Sequence, residues 1–274
     1  MALTLDGPLV LVGCGKLGSA LLTGWLARGL DPANVIVQDP GPPPEVVDLL
    51  ARLKIRSGVD ARPLPVPPAV LLMAVKPQVM DAVFAPLAAT VGPDTLVLSV
   101  AAGRTIASFE RHLAPGRAIV RTIPNTPAAV GRGITVCTAN AAVTATQRAL
   151  TDQLMGAVGE VGWVDDEALI DAATAVSGSG PAYVFLLAEC LAAAGRAVGL
   201  EPALAARLAA ATVSGAGELM HQTGTPPAIL RQNVTSPNGT TAAALQVLMG
   251  DDRLQRLMVE AVAAANQRSR ELSN

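Results

Sequence analysis

The chain has 274 residues, of which 51% are hydrophobic and 15% are charged, and its formal net charge is −2. This composition excludes an intrinsically disordered chain, which requires low hydrophobicity and high net charge. A slightly acidic chain with 2% aromatic residues is also not expected to bind nucleic acid, which needs a basic surface and aromatic rings for base stacking. At about 150 residues per domain, the length predicts two domains.

Membrane insertion and secretion are not expected either. The most apolar window, residues 182–200, contains Glu189 and Arg196, so it falls short of the roughly 18 uncharged apolar residues that cross a bilayer. The N-terminal segment lacks the basic residues of a secretory signal. The cysteines are scattered and odd in number, which suits a reducing compartment and provides neither a disulfide framework nor a metal site. We therefore expect a cytoplasmic protein that binds no metal.

The first half of the chain alternates short apolar runs with amphipathic segments. The apolar runs are nearly continuous, as expected of strands that are covered on both faces in a parallel sheet. They are residues 8–12, 34–38, 69–75, 95–99 and 118–121. Between the first two runs, Leu17, Leu21 and Trp25 recur every four residues, a spacing typical of a helix with one apolar face. The alternation predicts right-handed crossovers and a doubly wound α/β sheet.

The composition changes near Trp163. Beyond this residue, Ala- and Leu-rich segments with helical periodicity replace the β-branched runs, and Pro202 and Pro227 mark helix starts. We expect an α/β Rossmann-type domain over residues 1–163 and an all-helical domain over residues 164–274. Such apolar helices would leave much of their surface uncovered in one small bundle, so a symmetric dimer through the helical half is expected. A self-contained bundle packed on the sheet domain is the alternative.

A glycine-rich loop follows the first predicted strand. Residues 13–18 read Gly-Cys-Gly-Lys-Leu-Gly, and this GxGxxG pattern lies where a strand ends and a helix begins, the context that dinucleotide binding requires. Gly13 permits the tight turn, Gly15 allows close approach of a pyrophosphate, and Gly18 allows the helix to pack near the strand. The helix N-terminus then offers unpaired N–H groups to the phosphate oxygens.

Two questions about this loop remain open, whether it binds a ligand and what Cys14 does. The glycines could form a turn that binds no ligand. Cys14 lies in the positive field of the helix N-terminus, which would acidify its thiol. A small side chain that only fills space is the simpler role for this cysteine.

Asp39 and Lys76 follow two further predicted strands. Asp39 lies about 20 residues after Gly18, where an acidic side chain usually holds a ribose 2′-hydroxyl and disfavours a 2′-phosphate. The local sequence therefore favours NAD(H), although Arg56 or Arg62 could still reach a phosphate. Lys76 follows the third strand, at the edge where ligands of doubly wound folds bind. A solvated loop lysine is the alternative.

Two segments interrupt the helical half with small and polar residues. Residues 177–183 read Ser-Gly-Ser-Gly-Pro-Ala-Tyr, so their backbone can approach a ligand or another chain closely. Residues 233–241 read Asn-Val-Thr-Ser-Pro-Asn-Gly-Thr-Thr and precede a helix predicted over residues 242–249. The hydroxyl and N–H groups of this turn form a candidate carboxylate site. A helix–helix crossing and a simple capping turn are the alternatives.

Taken together, these motifs resemble the pyrroline-5-carboxylate reductase family along essentially the whole chain. The resemblance is carried by the glycine loop and by residues 74–77, 99–103, 124–127, 177–183 and 233–241. It implies reduction of the cyclic imine 1-pyrroline-5-carboxylate to L-proline by NAD(P)H, the final step of proline biosynthesis. It also implies a homodimer with interleaved helical domains, which in this family is often built into larger rings.

The resemblance also assigns site residues by position. It places the pyrophosphate on Gly13, Cys14, Gly15, Lys16, Leu17 and Gly18. It places the ribose and nicotinamide beside Ala74, Val75, Lys76, Val100, Ala101, Ala102 and Asn233. Substrate contacts are implied for Glu167, Ser179, Asn233, Gly239, Thr240 and Thr241. Among these, Thr241 is expected to lie close to the ring nitrogen and is the candidate catalytic residue.

Little acid catalysis is expected, because a pyrroline nitrogen is protonated near neutral pH and hydride addition develops no oxyanion. The family mostly uses NADPH, so the resemblance favours NADP(H), whereas Asp39 favours NAD(H). The family usually has a glycine where this chain has Asn238, and the turn is still expected to form because asparagine tolerates left-handed backbone angles.

Two other functions are less consistent with the sequence. The β-hydroxyacid dehydrogenases share the two-domain plan but use a lysine of the second domain, and this chain has no lysine after Lys76. A non-catalytic cofactor sensor is the second alternative, and the intact turn at residues 233–241 counts against it.

Overall fold

An eight-stranded sheet occupies the N-terminal part of the protein in the computed structural model, among the residues it describes: 3–62, 64 and 66–273. The strands are β1 (Leu9–Val12), β2 (Val35–Gln38), β3 (Arg56–Gly58), β4 (Val70–Met73), β5 (Leu96–Ser99), β6 (Ala118–Pro124), β7 (Gly133–Ala139) and β8 (Gly159–Trp163). Their order is β3-β2-β1-β4-β5-β6-β7-β8, and neighbours run parallel except for β6 and β7. The order reverses between β1 and β4, which creates the switch point of a doubly wound fold. The predicted α/β domain is therefore confirmed.

Five of these strands coincide with the apolar runs of the sequence, whereas β3, β7 and β8 were not predicted. Strand β3 is three residues long and exposed throughout, so its sequence carries no apolar run. Strand β7 runs antiparallel to β6 and mixes buried with partly buried residues, including polar threonines. Strand β8 lies at the sheet edge, and its residues are partly or fully exposed and include two glycines.

Helices cover both faces of the sheet. They are α1 (Lys16–Ala27), α2 (Pro44–Arg52), α3 (Met80–Leu87), α4 (Ile106–Glu110) and α5 (Ala145–Met155). Leu9 and Leu11 of β1 belong to the core that contains Trp25 of α1, whereas Val10 belongs to the core that contains Phe84 of α3. Burial on both faces explains the nearly continuous hydrophobicity of the strands. Truncating Trp25 or Phe84 to alanine is expected to cost about 3–5 kcal/mol of stability.

The chain beyond β8 is helical. Its helices are α6 (Leu169–Ala173), a π-helical turn (Thr174–Gly178), α7 (Gly180–Ala197), α8 (Pro202–Thr223), α9 (Pro227–Asn233), α10 (Thr240–Met249) and α11 (Arg253–Ser273). Pro202 and Pro227 begin α8 and α9, as predicted. Helix α10 begins two residues earlier than the sequence suggests, because Gly239 and not the second threonine ends the preceding turn.

The chain forms two compact units that differ from a simple division at residue 163. One unit ends at Gly178 and also contains the chain from Asn266 onward, and the other is Ser179–Ala265. The last strand does end at Trp163, where the sequence changes character. However, α6 packs against β6 and β7, and its Ile170 and Asp171 are buried. For this reason the first helical segment belongs to the sheet unit.

Residues Leu169–Ala197 form one continuous helical stretch that is long and apolar enough to cross a membrane by length and composition. The most apolar 18-residue window of this stretch has a mean hydropathy of 1.3, and 11% of that window is buried within the chain. The expectation that no stretch is long enough is therefore wrong, because α6 and the π-helical turn extend α7 toward the N-terminus. The same exposed apolar surface is suited to contact with another protein chain.

Candidate functional site

The glycine loop connects β1 to α1, as the sequence predicts. Gly13 adopts a φ of +94°, and a Cβ there would lie 2.7 Å from the Ala74 carbonyl oxygen. A Cβ at Gly18 would overlap the Gly13 carbonyl oxygen. By contrast, Gly15 caps α1 and faces open space, since a Cβ there would meet no described atom within 4 Å. Gly13 and Gly18 therefore close the turn, and Gly15 leaves a space beside the helix N-terminus.

That space suits an anion. Gly15, the N-cap residue of α1, has no side chain that could accept a hydrogen bond from the first-turn N–H groups. Helix N-termini with unpaired N–H groups bind phosphate oxygens. The loop therefore fits the pyrophosphate of a dinucleotide, although contact of any one residue with it stays a prediction.

The Asp39 carboxylate lies beside this loop. Its Oδ2 accepts a hydrogen bond from the Cys14 N–H at 2.6 Å, and its Oδ1 accepts one from the Gly41 N–H at 2.8 Å. Burial, together with the negative charge of Asp39, raises the pKa of the Cys14 thiol to about 12. The structure therefore supports the simpler interpretation of Cys14 as a small buried side chain and not an acidified thiol, because these two effects outweigh the field of the helix N-terminus.

The loops after β4 and β5 lie at the same edge of the sheet. Val12 at the end of β1 pairs with Met73, which in turn pairs with Ser99 at the end of β5. The Ala74 N–H donates to the Val12 carbonyl at 2.7 Å, and the Val100 N–H donates to the Met73 carbonyl at 3.1 Å. The structure therefore brings the predicted cofactor residues 13–18, 74–76 and 100–102 to one edge, where ligands of doubly wound folds bind.

Lys76 is exposed at this edge. It precedes the short 3-10 helix Pro77–Val79 as its N-cap residue. A charged side chain at this position can meet an anionic or polar part of a ligand, and the alternative of a solvated loop lysine stays open.

A buried ion-pair network lies beneath the loop after β5, and sequence reasoning did not find it. Arg121 of β6 pairs in register with Ser99 and is 2% exposed. Its Nη1 donates to Glu167 Oε1 at 2.9 Å, and its Nη2 lies 3.9 Å from Asp171 Oδ1. The Ser269 hydroxyl donates to the same Asp171 oxygen at 2.7 Å. The sequence did contain one indication of this network, Arg121 in the apolar run 118–121. A charge in a buried strand requires partners.

The remaining predicted site residues lie in the helical unit. Ser179 precedes α7, Asn233 ends α9, and Gly239 is the N-cap of α10, whose first residues are Thr240 and Thr241. Gly239, as the N-cap residue, has no side chain that could accept from the first-turn N–H groups, so the start of α10 also presents hydrogen-bond donors.

Asn238 shapes the turn before α10. It adopts a φ of +59°, which confirms that asparagine takes the left-handed conformation here. The Gly239 N–H then donates to the Ser236 carbonyl at 3.1 Å and closes the turn. Contact of these residues with a substrate stays a prediction.

A doubly wound sheet with a glycine loop at its switch point and an acid after β2, joined to a helical unit, defines a dinucleotide-dependent oxidoreductase. Two family models match the chain. One, described as NADP oxidoreductase, coenzyme F420-dependent, matches residues 8–103. The other, described as pyrroline-5-carboxylate reductase dimerisation, matches residues 167–272.

Similarity to characterised proteins extends over the whole chain. The pyrroline-5-carboxylate reductase of Pseudomonas aeruginosa is 41% identical over 268 residues, which are 97% of this chain and 96% of that protein. A solved pyrroline-5-carboxylate reductase of Coxiella burnetii is 34% identical with a TM-score of 0.90, over 98% of this chain and 99% of that chain. A Plasmodium falciparum pyrroline carboxylate reductase solved with NADP bound is 27% identical with a TM-score of 0.78, over 99% and 100% of the two chains. The chain belongs to the pyrroline-5-carboxylate reductase family, as its motifs predict.

Proposed function

We propose that the protein reduces the C=N bond of 1-pyrroline-5-carboxylate to give L-proline, the final step of proline biosynthesis. The observation that carries this proposal is the 41% identity to the Pseudomonas aeruginosa reductase over nearly the full length of both chains. That similarity includes both the glycine loop and the turn before α10. A protein that only sensed a cofactor would not need the second of these segments.

The reaction requires a nicotinamide dinucleotide, and the sheet edge fits one. The open space at Gly15 and the unpaired N–H groups at the start of α1 suit the pyrophosphate. We assign the ribose and nicotinamide to the adjacent loops, at residues Ala74, Val75, Lys76, Val100, Ala101 and Ala102. When bound, the reduced dinucleotide supplies the hydride.

NADP(H) is the proposed cofactor, with NAD(H) as a second donor. The matching family model of an NADP oxidoreductase and the NADP-bound Plasmodium structure support NADP(H). Asp39 supports additional use of NAD(H), because a carboxylate at the end of β2 repels a 2′-phosphate. Arg62, one of the two arginines that could offset this repulsion, pairs with Asp60 at 2.8 Å.

The proposed substrate needs little activation by the protein, because its C=N group is already protonated. A protonated pyrroline already carries a positive charge on its C=N group, so the protein must mainly orient it and exclude water. In the proposed mechanism, the first-turn N–H groups near Thr240 bind the carboxylate, and the Thr241 hydroxyl orients the ring N–H. Glu167 contributes a carboxylate that favours the cationic form of the imine.

The dimerisation model over residues 167–272 indicates a homodimer. We propose that the dimer forms through the C-terminal helices and that dimers assemble further into a ring. Helix α7 supports this, since its Val184, Phe185, Leu186 and Leu187 are between 46% and 63% exposed in the single chain. A cytoplasmic location is proposed, because a biosynthetic enzyme with unpaired cysteines suits a reducing compartment.

The test is an assay of the purified protein with 1-pyrroline-5-carboxylate and either NADPH or NADH. Oxidation of the dinucleotide is followed by absorbance, and proline is measured by amino-acid analysis. We expect one proline for each dinucleotide oxidised, and no proline with either dinucleotide would refute the function. A six-membered cyclic imino acid is run in parallel, because one methylene changes discrimination by only about 1–3 kcal/mol.

The Thr241→Ala variant tests the catalytic assignment. We expect turnover to fall on the order of tenfold or more while the dinucleotide Kd stays unchanged, because one hydrogen bond to a charged group is lost. The matched control is Thr223→Ala, whose hydroxyl donates to the Leu219 carbonyl at 2.8 Å and has no assigned role. Full activity in the Thr241 variant would remove this residue from the mechanism.

A further inference from the structure

Arg121 is a buried cation at the ligand-binding edge of the sheet. Its side chain is 3% exposed, and it pairs in register with Ser99, the residue before the loop that carries Val100, Ala101 and Ala102. A buried guanidinium costs stability unless it is paired and hydrogen-bonded. An apolar residue would fill this buried strand position without the free-energy cost of removing a charge from water. The arginine therefore indicates a role beyond packing.

Glu167, the hydrogen-bond partner of Arg121, is held by donors from two different elements. Glu167 Oε1 accepts from Arg121 Nη1 at 2.9 Å and from the Ile106 N–H, at the start of α4, also at 2.9 Å. The other oxygen, Oε2, accepts no hydrogen bond from the part of the chain that the structure describes, and the side chain is 30% exposed. One oxygen is therefore fixed, and the other is available to a ligand at this edge.

Glu167 provides the carboxylate of this network that a ligand can reach. Asp171 lies beside the same guanidinium and is further held by the Ser269 hydroxyl, whereas Glu167 is 30% exposed. A carboxylate stabilises a cation, and the protonated imine of the proposed reaction is one.

We propose that Arg121 is a positioning residue that holds Glu167 so that its Oε2 stabilises the positively charged substrate. This inference rests on the proposed function, because the cationic imine is its ligand. Without the guanidinium, Glu167 Oε1 would lose one of its two described donors. Substrate binding would then weaken, because the carboxylate that faces the cationic imine would no longer be held in one orientation.

The test compares Arg121→Met, Arg121→Lys, Glu167→Gln and the Arg121→Met/Glu167→Gln double variant of the full-length enzyme. KM and kcat for 1-pyrroline-5-carboxylate are measured at saturating dinucleotide and one fixed pH. We expect Arg121→Met to raise KM about tenfold or more with a smaller change in kcat, because a charge-assisted contact is lost. The dinucleotide KM should change less than about twofold, and Arg121→Lys should recover much of the imine KM.

The double variant separates positioning from a merely structural role. In the Glu167→Gln background, the Arg121→Met change should add little to the imine KM. The matched control is Arg104→Met, since Arg104 lies in the loop after β5 and pairs with Asp81 rather than with Glu167. We expect this control to alter the melting temperature without raising the imine KM.

Several outcomes would overturn the inference. An unchanged imine KM in Arg121→Met, additive effects in the double variant, or the same KM increase in Arg104→Met would each show that Arg121 only stabilises the fold. If Glu167→Gln keeps the wild-type KM while the wild type makes proline, the inference fails and the proposed function stands. If the wild type makes no proline, both fail. Should Arg121→Met not fold, Arg121→Lys decides: we expect an imine KM raised less than in Glu167→Gln with an unchanged dinucleotide KM, and equal changes in both KM values would overturn the inference.

Discussion

A single carboxylate, that of Asp39, links the second strand to the glycine loop. Both of its oxygens are engaged by backbone N–H groups, those of Cys14 and Gly41. These contacts fix a negative charge where the ribose of a dinucleotide is expected. Burial, together with the same charge, raises the pKa of the Cys14 thiol. We expect Asp39 to affect cofactor choice as well.

Replacing Asp39 with serine should shift cofactor preference toward NADPH. Removing the charge removes repulsion of the 2′-phosphate, so the NADPH-to-NADH ratio of kcat/KM should rise about tenfold, which corresponds to about 1.4 kcal/mol. The control is Asp31→Ser, because Asp31 caps the 3-10 helix just before β2, at the opposite end of that strand. An unchanged ratio in the Asp39 variant would mean that this carboxylate points away from the ribose.

Cys14 should be inert toward thiol reagents in the folded protein. With a pKa of about 12, its thiol remains protonated at about pH 8, and the thiolate is the reactive form. Raising the pH toward that value should increase the rate, because the thiolate fraction grows tenfold per pH unit. Alkylation by iodoacetamide is followed by mass spectrometry, with denatured protein as the positive control. Rapid labelling of folded protein near neutral pH would contradict the assigned environment.

At the scale of elements, Gly13 and Gly15 in the loop before α1 have different roles. Gly13 needs its positive φ and its lack of a side chain to make the turn, whereas Gly15 has a φ of −71° and open space around it. Any residue can adopt the Gly15 backbone conformation. The fold therefore requires Gly13, whereas for Gly15 the proposed pyrophosphate site is the reason we infer for a glycine.

The Gly15→Leu variant should fold normally and lose dinucleotide binding. The added side chain would occupy the space proposed for the pyrophosphate, so calorimetry should detect no binding while the melting temperature changes little. Gly162→Leu is the matched control, since a Cβ at Gly162 also meets no described atom within 4 Å and this residue lies in β8. Unimpaired binding in Gly15→Leu would discredit the pyrophosphate assignment.

The elements that could be predicted are those whose burial is continuous. Strands β1, β2, β4, β5 and β6 are covered on both faces, so their sequences are apolar runs that stand out without a structure. The edge strands β3 and β8 and the antiparallel β7 lack that signal. The cofactor loops could be located because they follow strand ends, but the Arg121–Glu167 pair could not, because it joins residues 46 positions apart.

At the scale of the whole molecule, the apolar surface of the helical unit is too extensive for an isolated chain. Phe185 is 63% exposed, and Leu186 and Leu187 beside it are 57% and 51% exposed. Contiguous surfaces of this kind mark interfaces in soluble proteins. The dimerisation model that matches this region gives the same conclusion.

The Phe185→Glu variant should shift the protein from dimer to monomer. A buried, unpaired carboxylate at a dimer interface costs several kcal/mol, so the dissociation constant should rise by about two orders of magnitude or more. Sedimentation velocity measures the shift. The control is Val59→Glu, because Val59 is 73% exposed in the sheet unit and should leave the dimer intact. A dimeric Phe185 variant would place the interface elsewhere.

The division of the chain into units has a consequence for its synthesis. The helical unit, Ser179–Ala265, interrupts the sheet unit, which regains the chain from Asn266 onward. The segment from Asn266 onward is therefore synthesised after the helical unit but completes the sheet unit, and its Ser269 supplies a buried hydrogen bond to Asp171. The sheet unit cannot be complete before this segment has been made, so we expect it to expose apolar surface during that interval of synthesis.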